Sequence, residues 1–224
     1  DRVAGATEAV SAHGADCLVL DDGFQHRRLG RDLDIVLIDV LDPWGGGYML
    51  PAGRLREPRS ALRRADVLVI TRANQVASDV LTKLTAQLRA LGNAPVLRAD
   101  VEAAELVGAD GATSTPDSLV GRSVLAVCGL GNPRTFTRLV EELNGRPCTA
   151  QQFDDHHRYT PADVTRLQAA AERSGAEVVV TTRKDWVKLA SLWSTAKPDL
   201  WRLDVRLAIS EPDELDALLR RALQ

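Results

Sequence analysis

At 224 residues, 45% of them hydrophobic and 26% charged, the chain has room for one large or two modest globular domains. A formal net charge of −3 excludes the broad basic field of a nucleic-acid-binding protein. No apolar run approaches the ~20 residues of a membrane-spanning helix, no signal peptide is visible, and three cysteines without metal-ligand spacing (Cys17, Cys128, Cys148) fit reduced thiols in a cytosolic setting.

The chain opens on DRVAGATEAVSAHGAD, which reads as an amphipathic helix feeding a strand. There is no initiator Met, and a crossover helix as first element implies an upstream strand. The sequence therefore reads as the C-terminal portion of a longer protein. Cys17–Leu20 is a short apolar run with the signature of a buried strand. Asp21 and Asp22 follow at once, and Gly23 allows a sharp turn. Ligands of open α/β sheets gather beyond the carboxyl ends of strands. A carboxylate pair there can hold Mg²⁺ directly or through its waters. Gln25, His26, Arg27 and Arg28 add donors and positive charge, a mixture suited to a metal-bound polyphosphate. The same residues also read as a solvated turn and a polar helix start.

A second strand, Ile35–Val40, ends near Asp39, Asp42 and Pro43. The following loop contains Gly45–Gly47, Pro51, Gly53 and Pro58, and carries Arg54, Arg56 and Arg59. Arg54 is the best phosphate candidate, because guanidinium binds phosphate through two parallel hydrogen bonds. A short helix over Ser60–Arg64 precedes the strand Val67–Thr71. The spacing of Val80, Leu81, Leu84 and Leu88 predicts a helix over Ser78–Leu91, stopped by Gly92 and Asn93. Val96–Ala99 is the next strand. Residues 100–120 are small, polar and turn-rich around ADGAT, and read as a two-stranded ribbon or linker between domains.

The second half repeats the alternation. Strands are expected over Val124–Cys128, Thr149–Phe153, Ala176–Thr182 and Leu200–Leu207, and helices over Arg134–Leu143, Pro161–Ser174, Lys184–Trp193 and Glu211–Leu223. This pattern predicts parallel sheets covered by helices. CGLGNP at 128–133 has half of a dinucleotide fingerprint, but reads as a compact βα turn. DDHH at 154–157 can bind metal, form an acid–base relay, or simply cap the next helix. Thr181, Thr182, Arg183 and Lys184 open a helix at a strand end, an arrangement that suits an anion or plain capping.

DDGFQHRRLGRDLDIVLID, LPAGRLREP, GNP-x-x-F, DHHRYT and TT-x-KDWVKL occur in order across nearly the whole chain. Together they closely resemble the tetraacyldisaccharide 4′-kinase (lipid A 4′-kinase) family. The resemblance implies an α/β P-loop kinase fold, with a core domain over 1–99, the ribbon over 100–120 and a smaller α/β lid domain over 121–224. It implies ATP-dependent, Mg²⁺-dependent phosphorylation of the 4′-hydroxyl of an acylated disaccharide lipid. It further implies Asp21 and Asp22 near Mg²⁺, with Asp22 the more direct participant, and Gln25 and Arg54 in contact with substrate and phosphates. His156 would help activate the hydroxyl in preference to His157, and Lys184 with Asp185 would serve as lid structure or nucleotide contact. Peripheral attachment to the cytoplasmic face of the inner membrane follows from the lipid substrate.

The family's G-x-x-x-x-G-K-[ST] loop does not occur in the sequence, nor does its hydrophobic N-terminal segment. The expectation is that the chain alone binds nucleotide very weakly and gives no meaningful turnover. Arg183 stands where the family often has an acid. Two alternatives remain: a metal-dependent phosphoesterase built on DDGFQH and DDHH, and a non-catalytic remnant that binds a partner or a lipid headgroup.

Overall fold

The computed structural model describes residues 1–193 and 197–224. In chain order the elements are α1 (Arg2–His13), β1 (Ile35–Asp39), β2 (Val67–Thr71), α2 (Ser78–Arg89), β3 (Val96–Gly108) and β4 (Thr113–Ser114). They continue with β5 (Val124–Cys128), α3 (Pro133–Asn144), β6 (Thr149–Gln152), α4 (Pro161–Ser174), β7 (Val178–Thr182), α5 (Arg183–Leu189), β8 (Asp199–Ile209) and α6 (Pro212–Ala222). Two units divide the chain, one of residues 1–101 with 207–224 and one of residues 102–206. Residues 207–224, the end of β8 and α6, lie with the first unit.

In the first unit β1, β2 and β3 are parallel, with Ile35 opposite Val67 and Leu68 opposite Val96. Alternate residues of β2 face opposite ways, so both faces need cover. Leu68 and Ile70 pack with Leu81, Leu84 and Leu88 of α2. Val67 and Val69 pack with Leu97, Ala99 and, from α6, Leu215 and Leu218. The spacing of Leu81, Leu84 and Leu88 places all three on one helical face, and this explains their burial.

In the second unit β6, β5, β7 and β8 lie side by side, and the β5–β6, β5–β7 and β7–β8 pairings are parallel. The hairpin expected around ADGAT forms between β3 and β4. Leu125, Val127 and Val179 meet Leu167 and Ala171 of α4 and Leu189 of α5. The opposite face, with Val124, Ala126, Val178 and Val180, meets Phe136 and Val140 of α3. Helix α4 begins on a capping box between Thr160 and Asp163 and stops at Gly175, which has φ 64°.

The strand expected over Cys17–Leu20 does not form. No strand among the described residues pairs with it, and an apolar run without a ladder partner leaves its backbone groups to water or turns. Val19 is accordingly 93% exposed. Side chains fix the irregular stretch that follows it, up to Asp34. Arg31 grips Asp34 at 2.6 and 3.1 Å and donates to the His26 carbonyl at 2.7 Å. Arg64 lies over the Phe24 ring at 4.4 Å. No helix among the described residues is long and apolar enough to cross a membrane.

Candidate active site

In the second unit, three neighbouring parallel strands deliver conspicuous residues at their carboxyl ends. β5 delivers Gly129, β6 leads into Asp154–His157, and β7 runs into Lys184 and Asp185. This is the edge where an open α/β sheet presents ligand-binding groups. Asp185 is fully buried, and its Oδ2 accepts the Gly129 N–H and the Thr182 hydroxyl, both at 2.8 Å. Lys184 pairs with the Asp155 carboxylate, and Lys188 donates to the His157 carbonyl at 3.0 Å. The Lys184 ammonium holds the Asp155 carboxyl below the usual carboxylate range.

The two adjacent imidazoles have opposite surroundings. His157 stacks near Phe153 and Tyr159, with centroids at 4.6 and 4.9 Å, and its Nε2 lies 3.1 Å from Asp163 Oδ2. His156 has φ 63° and a side chain that is 81% exposed. Its Nε2 stands 3.8 Å from Asp155 Oδ2, and its N–H donates to Asp155 Oδ1 at 3.0 Å. Asp155 and His157 thus turn to different partners. Among the described residues no three His, Cys, Asp or Glu side chains gather as a metal site. Arg183 reaches Asp204 at 3.9 Å, a carboxylate also held by Arg202 at 2.8 Å.

In the first unit, Asp21 and Asp22 occupy a turn, both exposed, with Asp22 at φ 50°. Aspartate tolerates this left-handed conformation better than most residues. Arg2 donates to their backbone carbonyls at 3.2 and 2.9 Å. The loop after β1 folds back tightly: a Cβ on Gly53 would stand 2.1 Å from the Tyr48 carbonyl oxygen, so only glycine fits. The Arg54 N–H donates to the Gly45 carbonyl at 2.8 Å. Arg56 takes the Asp22 carboxylate, Arg54 takes Asp42, and Arg72 takes Asp39 at the end of β1. Gln25 is exposed, and His26 Nδ1 is buried without a hydrogen-bond partner.

Arg56 lies in the arginine-rich loop, and Arg72 pairs with Asp39 from outside it. Its only sequence signal is its place directly after the β2 strand. Asp21 and Asp22 offer two hard carboxylate oxygen groups. That fits Mg²⁺, which commonly takes one or two carboxylates and completes its shell with water and phosphates.

The family described as Tetraacyldisaccharide-1-P 4'-kinase matches residues 1–224. The chain belongs to this tetraacyldisaccharide 4′-kinase family. It is 42% identical over 222 residues to the tetraacyldisaccharide 4′-kinase of Anaeromyxobacter sp. (strain K), covering 97% of this chain and 58% of that one. With the enzyme of the same name from Syntrophus aciditrophicus (strain SB) it shares 37% identity, over 88% of this chain and 55% of the relative. The crystal structure of LpxK from Aquifex aeolicus in complex with ATP superposes with a TM-score of 0.68 at 28% identity, covering all of this chain and 62% of that one. The fold is therefore the α/β P-loop kinase fold of tetraacyldisaccharide 4′-kinases. The chain spans 58% of the length of the first of these relatives.

Proposed function

We propose that this chain serves in the ATP-dependent phosphorylation of the 4′-hydroxyl of a tetraacyldisaccharide 1-phosphate, a lipid A precursor. The observation that supports this most is the family match along residues 1–224, in which the motif histidine His156 stays exposed while its neighbour is tied down. His156 orients the acceptor hydroxyl or takes its proton, beside an Asp155 carboxylate that Lys184 keeps ionised. Arg54 reaches the transferring phosphoryl group and offsets the charge that develops on it. Gln25 contacts substrate or phosphate. Asp21 and Asp22 would hold Mg²⁺, with Asp22 the more direct ligand. When bound, Mg²⁺ neutralises charge on the ATP phosphates.

Residues 102–206 take the part of the lid, in keeping with the gating common to kinases. The acylated substrate places the protein peripherally on the cytoplasmic face of the inner membrane. Replacing His156 with alanine in the complete gene product should lower kcat by about 10²–10⁴-fold and change substrate KM little. An unchanged kcat would overturn the assignment. Phosphate release without any acceptor sugar, driven by Mn²⁺, would replace it with the phosphoesterase reading.

A further inference from the structure

Lys184 and Asp185 open α5 side by side, yet their side chains do separate things. The Lys184 ammonium meets Asp155, in the middle of the Asp154–His157 segment. Asp185 points inward and is fully buried. Its Oδ2 is satisfied by Gly129 N–H and the Thr182 hydroxyl. Its Oδ1 is buried and lacks a closed hydrogen bond, and so is the Tyr159 hydroxyl. These two atoms are neighbours. A Cβ placed on Gly129 would lie 3.1 Å from Asp185 Oδ1, 3.4 Å from the Tyr159 hydroxyl and 3.0 Å from the Asp154 carbonyl oxygen. Gly129 is thus the floor on which both ends of the 154–159 segment converge.

A buried carboxylate is expensive unless fully hydrogen-bonded, and replacing such groups by apolar ones is often neutral or stabilising. Thr182 caps α5 by accepting the Asp185 N–H, and the Asp185 carboxylate accepts the Thr182 hydroxyl in return. What Asp185 adds is a fixed point for chain segments far apart in sequence. Burial, with Asp185 next to it, pushes the Tyr159 hydroxyl's pKa well up, so it remains a proton donor facing that carboxylate. Lys188 adds a third hold through the His157 carbonyl.

We propose that Lys184 and Asp185 are positioning residues: from one turn of α5 they fix the middle and the Tyr159 end of the 154–159 segment and hold Gly129 beneath its Asp154 end, and so set where the His156 imidazole stands. Lys184 acts on the loop and not on the nucleotide. The proposal rests on the reading of His156 given above.

The test uses the complete gene product with the variants K184M, K184R, D155N, Y159F and H156A, because D185N alone risks failing to fold. K184M is expected to lower kcat by about 10- to 100-fold with the KM for ATP unchanged, the scale of loss for a displaced catalytic group. K184R should restore most of it. The K184M/D155N double variant should be no worse than the worse single one, because both break one contact. Y159F, which keeps the ring, should also lower kcat and leave the KM for ATP alone. A raised KM for ATP with unchanged kcat in K184M overturns the proposal in favour of a nucleotide contact, and multiplying losses in the double variant overturn it too. Imidazole NMR signals of histidine-labelled protein read the position without turnover. Those of His156 should shift in K184M and Y159F, and unmoved signals overturn the latch whatever H156A does. If H156A leaves kcat intact while those signals do shift, the latch stands and the catalytic role of His156 falls.

Discussion

His157 Nε2 lies 3.1 Å from Asp163 Oδ2, and this contact joins the loop after β6 to the first turn of α4. The same carboxylate accepts the Thr160 N–H at 3.0 Å and the Thr160 hydroxyl at 2.9 Å, and Arg166 at 3.1 Å. Burial alone would raise the Asp163 pKa, but the hydrogen bonds from His157 and Thr160 outweigh it and hold the carboxyl below the usual range. A helix cap and a loop anchor are therefore one group.

Because the Asp163 pKa is depressed on folding, its ionised form stabilises the fold above the unfolded carboxylate value of about 3.9. That contribution is lost as pH falls through the folded value. Asp163→Asn should therefore be less stable than the parent at pH 7, with the gap closing towards pH 3. Urea unfolding at the two pH values checks this, and an equal gap at both would show that the charge contributes nothing.

Two glycines of the β5–α3 turn should respond differently to alanine. A Cβ on Gly129 would press on Asp154, Asp185 and Tyr159 at 3.0–3.4 Å. Gly129→Ala should cost about 1–3 kcal/mol, as overpacking does. At Gly131 the nearest atom is Asp155 Oδ2 at 3.9 Å, an ordinary contact. Gly131→Ala should stay within about 0.5 kcal/mol of the parent. Denaturant midpoints of the pair decide it; equal costs would mean that the floor under Asp185 is not tight.

The three thiols should react in a fixed order. Cys17 is exposed. Burial, reinforced by Asp185, pushes the Cys128 thiol up to about 12. Burial, with Glu141 nearby, pushes Cys148 to about 11. Only the thiolate is a strong nucleophile. Iodoacetamide at pH 8 should label Cys17 first, as read by peptide mass spectrometry, with Cys128 reacting only in denaturant. Early labelling of Cys128 would contradict its burial.

Asp22 and Arg56 should have opposite effects on the Mg²⁺ requirement. Arg56 neutralises the Asp22 carboxylate in an exposed pair, a contact of modest worth. Arg56→Ala should lower half-saturating Mg²⁺ by about two- to fivefold at fixed ATP, and Asp22→Asn should raise it. Kinetic titration of the complete gene product with Mg²⁺ measures both. Coincident curves for parent and Asp22→Asn would remove Asp22 from the metal site.

Much of the fold was legible along the chain. The expected limits of β2 (Val67–Thr71), β5 (Val124–Cys128) and α4 (Pro161–Ser174) coincide with the structure. Continuous apolar runs between turn residues define the two strands. Thr160, Pro161 and Gly175 punctuate the helix. β3 runs on from Ala99 to Gly108, because a polar stretch can still be a strand where neighbours complete its ladder. Cys17–Leu20 had the better composition and formed none.

The sequence by itself determined the parallel α/β class and the family, since each is written in local pattern and motif order. Only the tertiary structure decided which charge meets which. Arg54 and Arg56 are two residues apart and equivalent in type, yet one takes Asp42 and the other Asp22. His156 and His157 are adjacent, yet a φ of 63° accompanies the exposure of the first while Asp163 and two aromatic rings tie down the second. Pairing depends on the directions that strand ends and turns impose on side chains, and those directions are fixed only when residues 56 positions apart, such as Gly129 and Asp185, are brought into hydrogen-bond contact.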